Sequence, residues 1–188
     1  MPVTLNAPVF YEETIQKSRF IAKAAPANSE EEALAFLREG REEEATHHCY
    51  AYRIGNLYRF SDDGEPPGTA GRPILHTIEA QGLDRVVVLV VRYFGGVKLG
   101  AGGLVRAYGG VAAEALRRGE KVPLVERVLL EFCVPYSLAE RVYRLCTPLE
   151  PRYDPLGVVF RVEVARSGVE AFRKRLEEAT RGQVEWKA

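Results

Sequence analysis

The segment Arg85–Phe94 is almost continuously apolar, and Val86 to Val91 forms its longest unbroken run. A β-branched stretch of this length fits a central strand covered on both faces, and it is far too short to span a bilayer. Directly after it comes Gly95–Gly103, a glycine-rich loop, and then a helical pattern over Leu104–Arg118 that Gly119 can terminate. A buried strand feeding through a pliable loop into a helix start presents unpaired backbone amides at one point, a geometry suited to an anion. Arg92, Lys98 and Arg106 add positive charge there, and no acid lies between Arg92 and Val111. Seven glycines fall between Gly95 and Gly110, among them Gly96, Gly100, Gly102 and Gly103, and they permit close backbone approach. Tyr93, Phe94 and Tyr108 could stack on bases. The other reading is that the glycines serve tight packing and the basic residues are merely solvated.

Known phosphate signatures do not match. Leu99 follows Lys98 where a P-loop requires Ser or Thr, and Val105 stands where a dinucleotide-binding turn wants Gly or Ala. The 188 residues carry 26 Lys plus Arg against 26 Asp plus Glu. Net charge therefore advertises neither nucleic acid nor membrane, and any such partner must be met by a local patch. Three cysteines, Cys49, Cys133 and Cys146, show no CxxC pairing, so a reducing compartment is expected rather than a disulfide framework. With no basic region followed by an apolar core at the N-terminus, a cytoplasmic location is expected.

Around the central strand the chain reads as α+β. A strand is expected within Thr14–Ala25. A helix follows from Ser29, where Glu32 completes a capping box, to Gly40. Ala45–Ile54 and Leu57–Phe60 read as a hairpin about Gly55-Asn56, Ser61–Gly71 as a loop, and Pro73 to Gly82 as a short helix. After Pro123 the pattern restarts: a strand over Leu124–Val134, a helix with a Ser137/Glu140 capping box, two strands within Arg152–Ala165, a helix with a Ser167/Glu170 box, and a strand over Gln183–Lys187. The order β-α-β-β-α-β fits a ferredoxin-like domain. The expected domains are 1–125 and 126–188.

Two further stretches could line a site. Asp62, Asp63 and Glu65 lie in the Ser61–Gly71 loop, where carboxylates could hold Mg²⁺ or, as Asx residues before glycine, simply shape turns. Thr69 and Arg72 fall near the next helix start and could join an anion site. His47 and His48 are adjacent on a strand, so alternation sends them to opposite faces and they cannot easily chelate one ion together. They read as polar site-lining residues. Cys49 has no catalytic partner pattern around it, and a buried structural role is the default. No catalytic residue, metal or cofactor is assigned.

These stretches run Thr46-His47-His48-Cys49-Tyr50-Ala51-Tyr52, then Phe60-Ser61-Asp62-Asp63-Gly64-Glu65-Pro66-Pro67-Gly68-Thr69-Ala70-Gly71-Arg72-Pro73, then Val91 to Tyr108. Together, with Ser18-Arg19-Phe20 upstream, they closely resemble the core of the IMPACT family over about the first 120 residues. The remainder is similar to the C-terminal domain of its bacterial YigZ-like branch. The resemblance implies a ribosomal protein S5 domain 2-like N-terminal domain and a ferredoxin-like C-terminal domain akin to elongation factor G domain V. Eukaryotic relatives are linked to translational control through an additional N-terminal binding domain, so their partner contacts do not carry over. The expected function is a translation-associated binding protein engaging RNA or a ribosome-associated partner. The alternatives are a Mg²⁺-dependent enzyme acting on a phosphorylated small molecule, and a protein-interaction adaptor.

Overall fold

The computed structural model describes residues 2–187. Contacts divide the chain into two compact units, Met1–Leu124 and Val125–Ala188.

The first unit opens with β1 (Val3–Leu5), β2 (Val9–Ile15) and β3 (Ser18–Pro26), followed by α1 (Glu30–Glu39), β4 (His47–Ile54) and β5 (Leu57–Ser61). Then come α2 (Gly71–Ala80), β6 (Val86–Tyr93), α3 (Gly100–Arg118) and β7 (Lys121–Pro123). Five strands form one sheet in the order β2-β3-β6-β4-β5, every neighbouring pair antiparallel. Strand β6 sits at its centre, as its apolar run requires. Its even-numbered residues Val86, Val88 and Val90 pack with Phe20, Ala22, Ala24, Cys49 and Ala51 beneath α2 and α3. Its odd-numbered residues Val87, Leu89 and Val91 face the other side, where Ala33, Phe36 and Leu37 of α1 help cover the sheet. Each fully buried Val, Leu or Phe side chain contributes roughly 1.5–3 kcal/mol of hydrophobic stabilisation. Strands β1 and β7 make a separate antiparallel pair.

Where the expected single strand over Thr14–Ala25 was placed, a hairpin forms instead. Gln16 and Lys17 turn the chain with φ of 47° and 66°, left-handed angles that non-glycine residues seldom take. Helix α1 starts as expected: Ser29 accepts the Glu32 amide at 3.1 Å, and the Glu32 carboxylate reaches back to the Asn28 amide at 2.8 Å.

The second unit holds β8 (Arg127–Val134), α4 (Ala139–Leu145), β9 (Arg152–Asp154), β10 (Gly157–Ala165), α5 (Val169–Thr180) and β11 (Glu185–Lys187). Its sheet order is β11-β8-β10-β9, all antiparallel. Phe132, Phe160, Phe172 and Leu176 form its core. The expected capping boxes at Ser137 and Ser167 do not form. Both serines lie inside 3₁₀ turns, Tyr136–Leu138 and Arg166–Gly168, and neither α4 nor α5 receives a side-chain N-cap. A 3₁₀ turn supplies backbone partners at the helix entry, which removes the need for the hydroxyl. The strand expected over Leu124–Val134 starts later: β7 ends at Pro123, and β8 begins at Arg127.

Candidate functional site

The end of β6, the start of β4 and the first turn of α3 meet around a cleft of about 370 Å³. Its walls are largely apolar: Pro66, Phe94, Leu99, Ala101 and Leu104. Thr46, His47, Glu65, Arg92 and Lys98 supply the polar groups.

Helix α3 begins at Gly100, four residues earlier than the glycines suggest, and no side chain caps it. Gly102 and Gly103 are thus helical residues, despite the cost of glycine in a helix, while Gly100 opens the helix with φ of 76°, a left-handed angle that favours glycine. The loop before it, residues 94–99, is pinned by β3. The Gly95 amide donates to Ser18 Oγ at 3.2 Å. A Cβ on Gly95 would stand 1.8 Å from the Lys17 carbonyl oxygen, so only glycine lets the loop lie against the β2–β3 hairpin. The Phe94 amide donates to Thr46 Oγ1 at 3.0 Å, which ties the loop to the residue just before β4 as well.

The polar floor is buried. Arg92 donates through Nη1 to Glu65 Oε2 at 2.7 Å and through Nε and Nη2 to Ser18 Oγ at 3.3 and 3.2 Å. The Arg92 and Glu65 side chains are only 5% and 4% exposed. Tyr108 donates its hydroxyl to the same Glu65 oxygen at 2.5 Å, and burial raises its phenol pKa well above the ordinary value. The Arg92 guanidinium also lies 5.5 Å from the Phe20 ring centre and 5.4 Å from that of Phe94. Arg92 is therefore held as a structural ion pair, not a free phosphate ligand, and Tyr108 is a core residue with no face to offer a base.

His47 and His48 do diverge. His47 lines the cleft, with Nε2 3.4 Å from Glu65 Oε1 and Nδ1 2.7 Å from the Asp63 carbonyl. His48 lies on the α1 side, its Nε2 2.8 Å from the Glu42 carbonyl. Cys49 packs in the core with Sγ 3.1 Å from the Asp62 carbonyl. Burial pushes its thiol up to about 12, and the surrounding carboxylates add to the shift, so it is no ready nucleophile.

The acids of the loop do not converge. Asp62 accepts amides from Gly68 at 3.0 Å, Ala70 at 3.1 Å and Gly71 at 2.9 Å. It thereby caps α2 from across the loop, since Ala70 at the N-cap has no side chain to do so. Burial opposes ionisation of Asp62, but these amide bonds outweigh it and hold the carboxyl below its usual range. Asp63 accepts the His48 amide at 2.7 Å. Glu65 points to Arg92. Turn-shaping and pairing thus account for all three acids, and among the described residues no cluster of three or more His, Cys, Asp or Glu is arranged to hold a metal.

The remaining residues scatter. Tyr93 donates to Glu42 Oε1 at 2.5 Å. Thr69 is buried and donates to the Pro66 carbonyl at 2.6 Å. Arg72 lies over the Phe60 ring in a different cleft, with Tyr58, His76 and Glu79. Arg106 lines a groove of about 330 Å³ with Glu13, Ile15 and Gln16, sharing Leu99 with the main cleft. Gly96 and Lys98 are exposed, and Phe94 is half exposed. Ser18 and Thr46, both central to holding the loop, stand in the stretches that carry the family resemblance but are not among the site residues expected from the sequence.

The family model for the Impact N-terminal domain matches residues 16–116, spanning the whole of this cleft. The chain belongs to the IMPACT family. An IMPACT family member of Thermus thermophilus is 62% identical over 175 residues, covering 90% of this chain and 97% of the relative. The family member YigZ of Escherichia coli is 38% identical over 193 residues, covering 95% and 93%. Such matches run through both units and place the chain in the YigZ-like bacterial branch. A crystal structure of a hypothetical protein aligns with a TM-score of 0.80 at 34% identity, covering 99% of this chain and 96% of that one. Among the described residues no helix is long and apolar enough to cross a membrane.

Proposed function

We propose that this IMPACT family chain is a cytoplasmic, translation-associated binding protein that engages RNA through the loop before α3. The carrying observation is the position of Lys98. It is exposed on the rim of a preformed cleft, at the uncapped N-terminus of α3, with half-exposed Phe94 beside it. A cation, helix amides and an accessible ring suit a phosphate with its attached base. Arg106, across Leu99 in the adjoining groove, extends the basic path. The link to translation rests on the translational control associated with eukaryotic relatives. We further assign the first unit to the ribosomal protein S5 domain 2-like fold. The antiparallel β-α-β-β-α-β arrangement of the second unit supports a ferredoxin-like assignment akin to elongation factor G domain V.

The test is fluorescence anisotropy with short single-stranded RNA across a salt series. Affinity falls as salt rises. Lys98→Ala with Arg106→Ala weakens binding and lowers the slope of log affinity against log salt by about 1–2. An unchanged affinity and slope in that double variant refutes the proposal.

A further inference from the structure

The floor of the cleft presents two hydrogen-bond acceptors side by side. The Asp63 carbonyl can only accept, so at 2.7 Å the His47 Nδ1 carries the ring hydrogen. In the neutral ring that leaves Nε2 as a lone pair, aimed at the cleft and 3.4 Å from Glu65 Oε1. Arg92 and Tyr108 both occupy the other carboxylate oxygen, Oε2. Among the described residues no hydrogen bond reaches Oε1, although Glu65 is only 8% exposed. Both residues line the cleft, so a ligand entering it can donate hydrogens to the two atoms.

We infer that this pair of acceptors receives the Watson–Crick edge of a guanine from single-stranded RNA, an inference that rests on the RNA reading above. Guanine is the common base that places two adjacent donors, N1–H and the 2-amino group, on that edge. Uracil flanks its one donor with two carbonyls, and adenine and cytosine each put a ring-nitrogen acceptor beside their amino group. Those acceptors would face Glu65 Oε1 or His47 Nε2 and be repelled. Apolar walls and the half-exposed Phe94 ring suit a flat base, which single-stranded recognition stacks on aromatic side chains. A guanidinium from a partner protein has a similar pair of donors, but Lys98 on the rim would repel its charge, whereas a nucleotide brings a phosphate for Lys98 to meet.

The experiment compares short oligouridylates that carry a single central guanosine, inosine, adenosine or uridine, binding to the wild-type chain and to His47→Ala. Guanosine should tighten binding at least about tenfold over uridine, the scale of one good bidentate contact. Inosine, which lacks the 2-amino group, should lose most of that gain. His47→Ala should lose the discrimination while keeping the salt dependence set by Lys98 and Arg106. Should that variant fail to fold, the wild-type guanosine–inosine–uridine comparison decides alone. Equal binding of all four oligomers overturns the guanine subsite and leaves the RNA reading standing. Absence of binding by any oligomer overturns both. Displacement of bound oligomer by N-acetylarginine amide, without guanosine preference, assigns the floor to a protein side chain and also overturns the inference.

Discussion

Removing Arg92 alone should cost far more stability than removing it together with Glu65. In Arg92→Met the Glu65 carboxylate stays in the core with the Tyr108 hydroxyl as its one remaining close donor, and Ser18 Oγ loses the guanidinium. Both charged side chains are 5% exposed or less, so solvent does little to relieve the stranded charge. Breaking a buried pair from one side costs about 3–5 kcal/mol. Glu65→Met should fall at the lower end of that range, because Arg92 keeps Ser18 and the Phe20 and Phe94 rings, and a cation over a ring is worth about 0.5–2 kcal/mol. The double Met variant strands neither charge. Its stability should return to within about 2 kcal/mol of wild type, since apolar replacement of a whole buried pair is often close to neutral. Urea unfolding followed by far-UV circular dichroism measures all four proteins. Dichroism is needed because the single tryptophan, Trp186, lies in the second unit. Single variants that each cost under about 1 kcal/mol and add in the double variant would refute the description of a desolvated, mutually dependent pair.

Gly95→Ala should destabilise the first unit by about 1–3 kcal/mol or more and weaken RNA binding, because its Cβ would collide with the Lys17 carbonyl and push the loop off the hairpin; thermal melting with anisotropy checks both. Asp62→Ala should cost about 1–2 kcal/mol by uncapping α2 from across the loop. The folded carboxyl of Asp62 lies below its usual range, so its contribution is present above the unfolded pKa and is lost as pH falls through the folded one. The wild-type advantage over Asp62→Ala should therefore shrink in acid urea titrations. Cys49 has a raised thiol pKa, so its contribution is complete below the ordinary thiol value and is lost as pH rises toward about 12. At pH of about 8, near the ordinary thiol pKa, iodoacetamide should label Cys49 in urea and leave it unlabelled in the native chain, read by peptide mass spectrometry.

The parts of this fold legible in the sequence are those whose cause is local. The Val86–Val91 run needs cover on both faces, and only the middle of a sheet provides it. Ser29 and Glu32 are one helical turn apart and satisfy neighbouring amides, so their spacing alone marks the start of α1. Elsewhere a local signal was outweighed. The turn at Gln16-Lys17 lacks the glycine or asparagine that usually announces positive φ; pairing along β2 and β3, with β3 held in turn by β6, imposes it. Gly102 and Gly103 look like loop residues by propensity, yet Leu104 and Tyr108 anchor their helix in the core and carry its first turn with them.

The site shows the same division more sharply, because charge in a sequence says nothing about pairing. Arg92 and Lys98 are close in the chain and equally basic, yet their chemistry is unlike. Arg92 belongs to Glu65, 27 residues away, and to Ser18, 74 away, while Tyr108 reaches the same carboxylate from 43 residues on. None of those partners is marked by spacing, since the sheet and α3 bring them together only after folding. Pairing consumes the positive charge that would have made Arg92 a phosphate ligand, and it does so through a single oxygen of Glu65. The other oxygen is left beside His47 on the cleft floor. A buried ion pair that withdraws one residue from recognition thereby leaves on the floor the acceptors on which the proposed guanine contact rests, with Lys98 exposed on the rim.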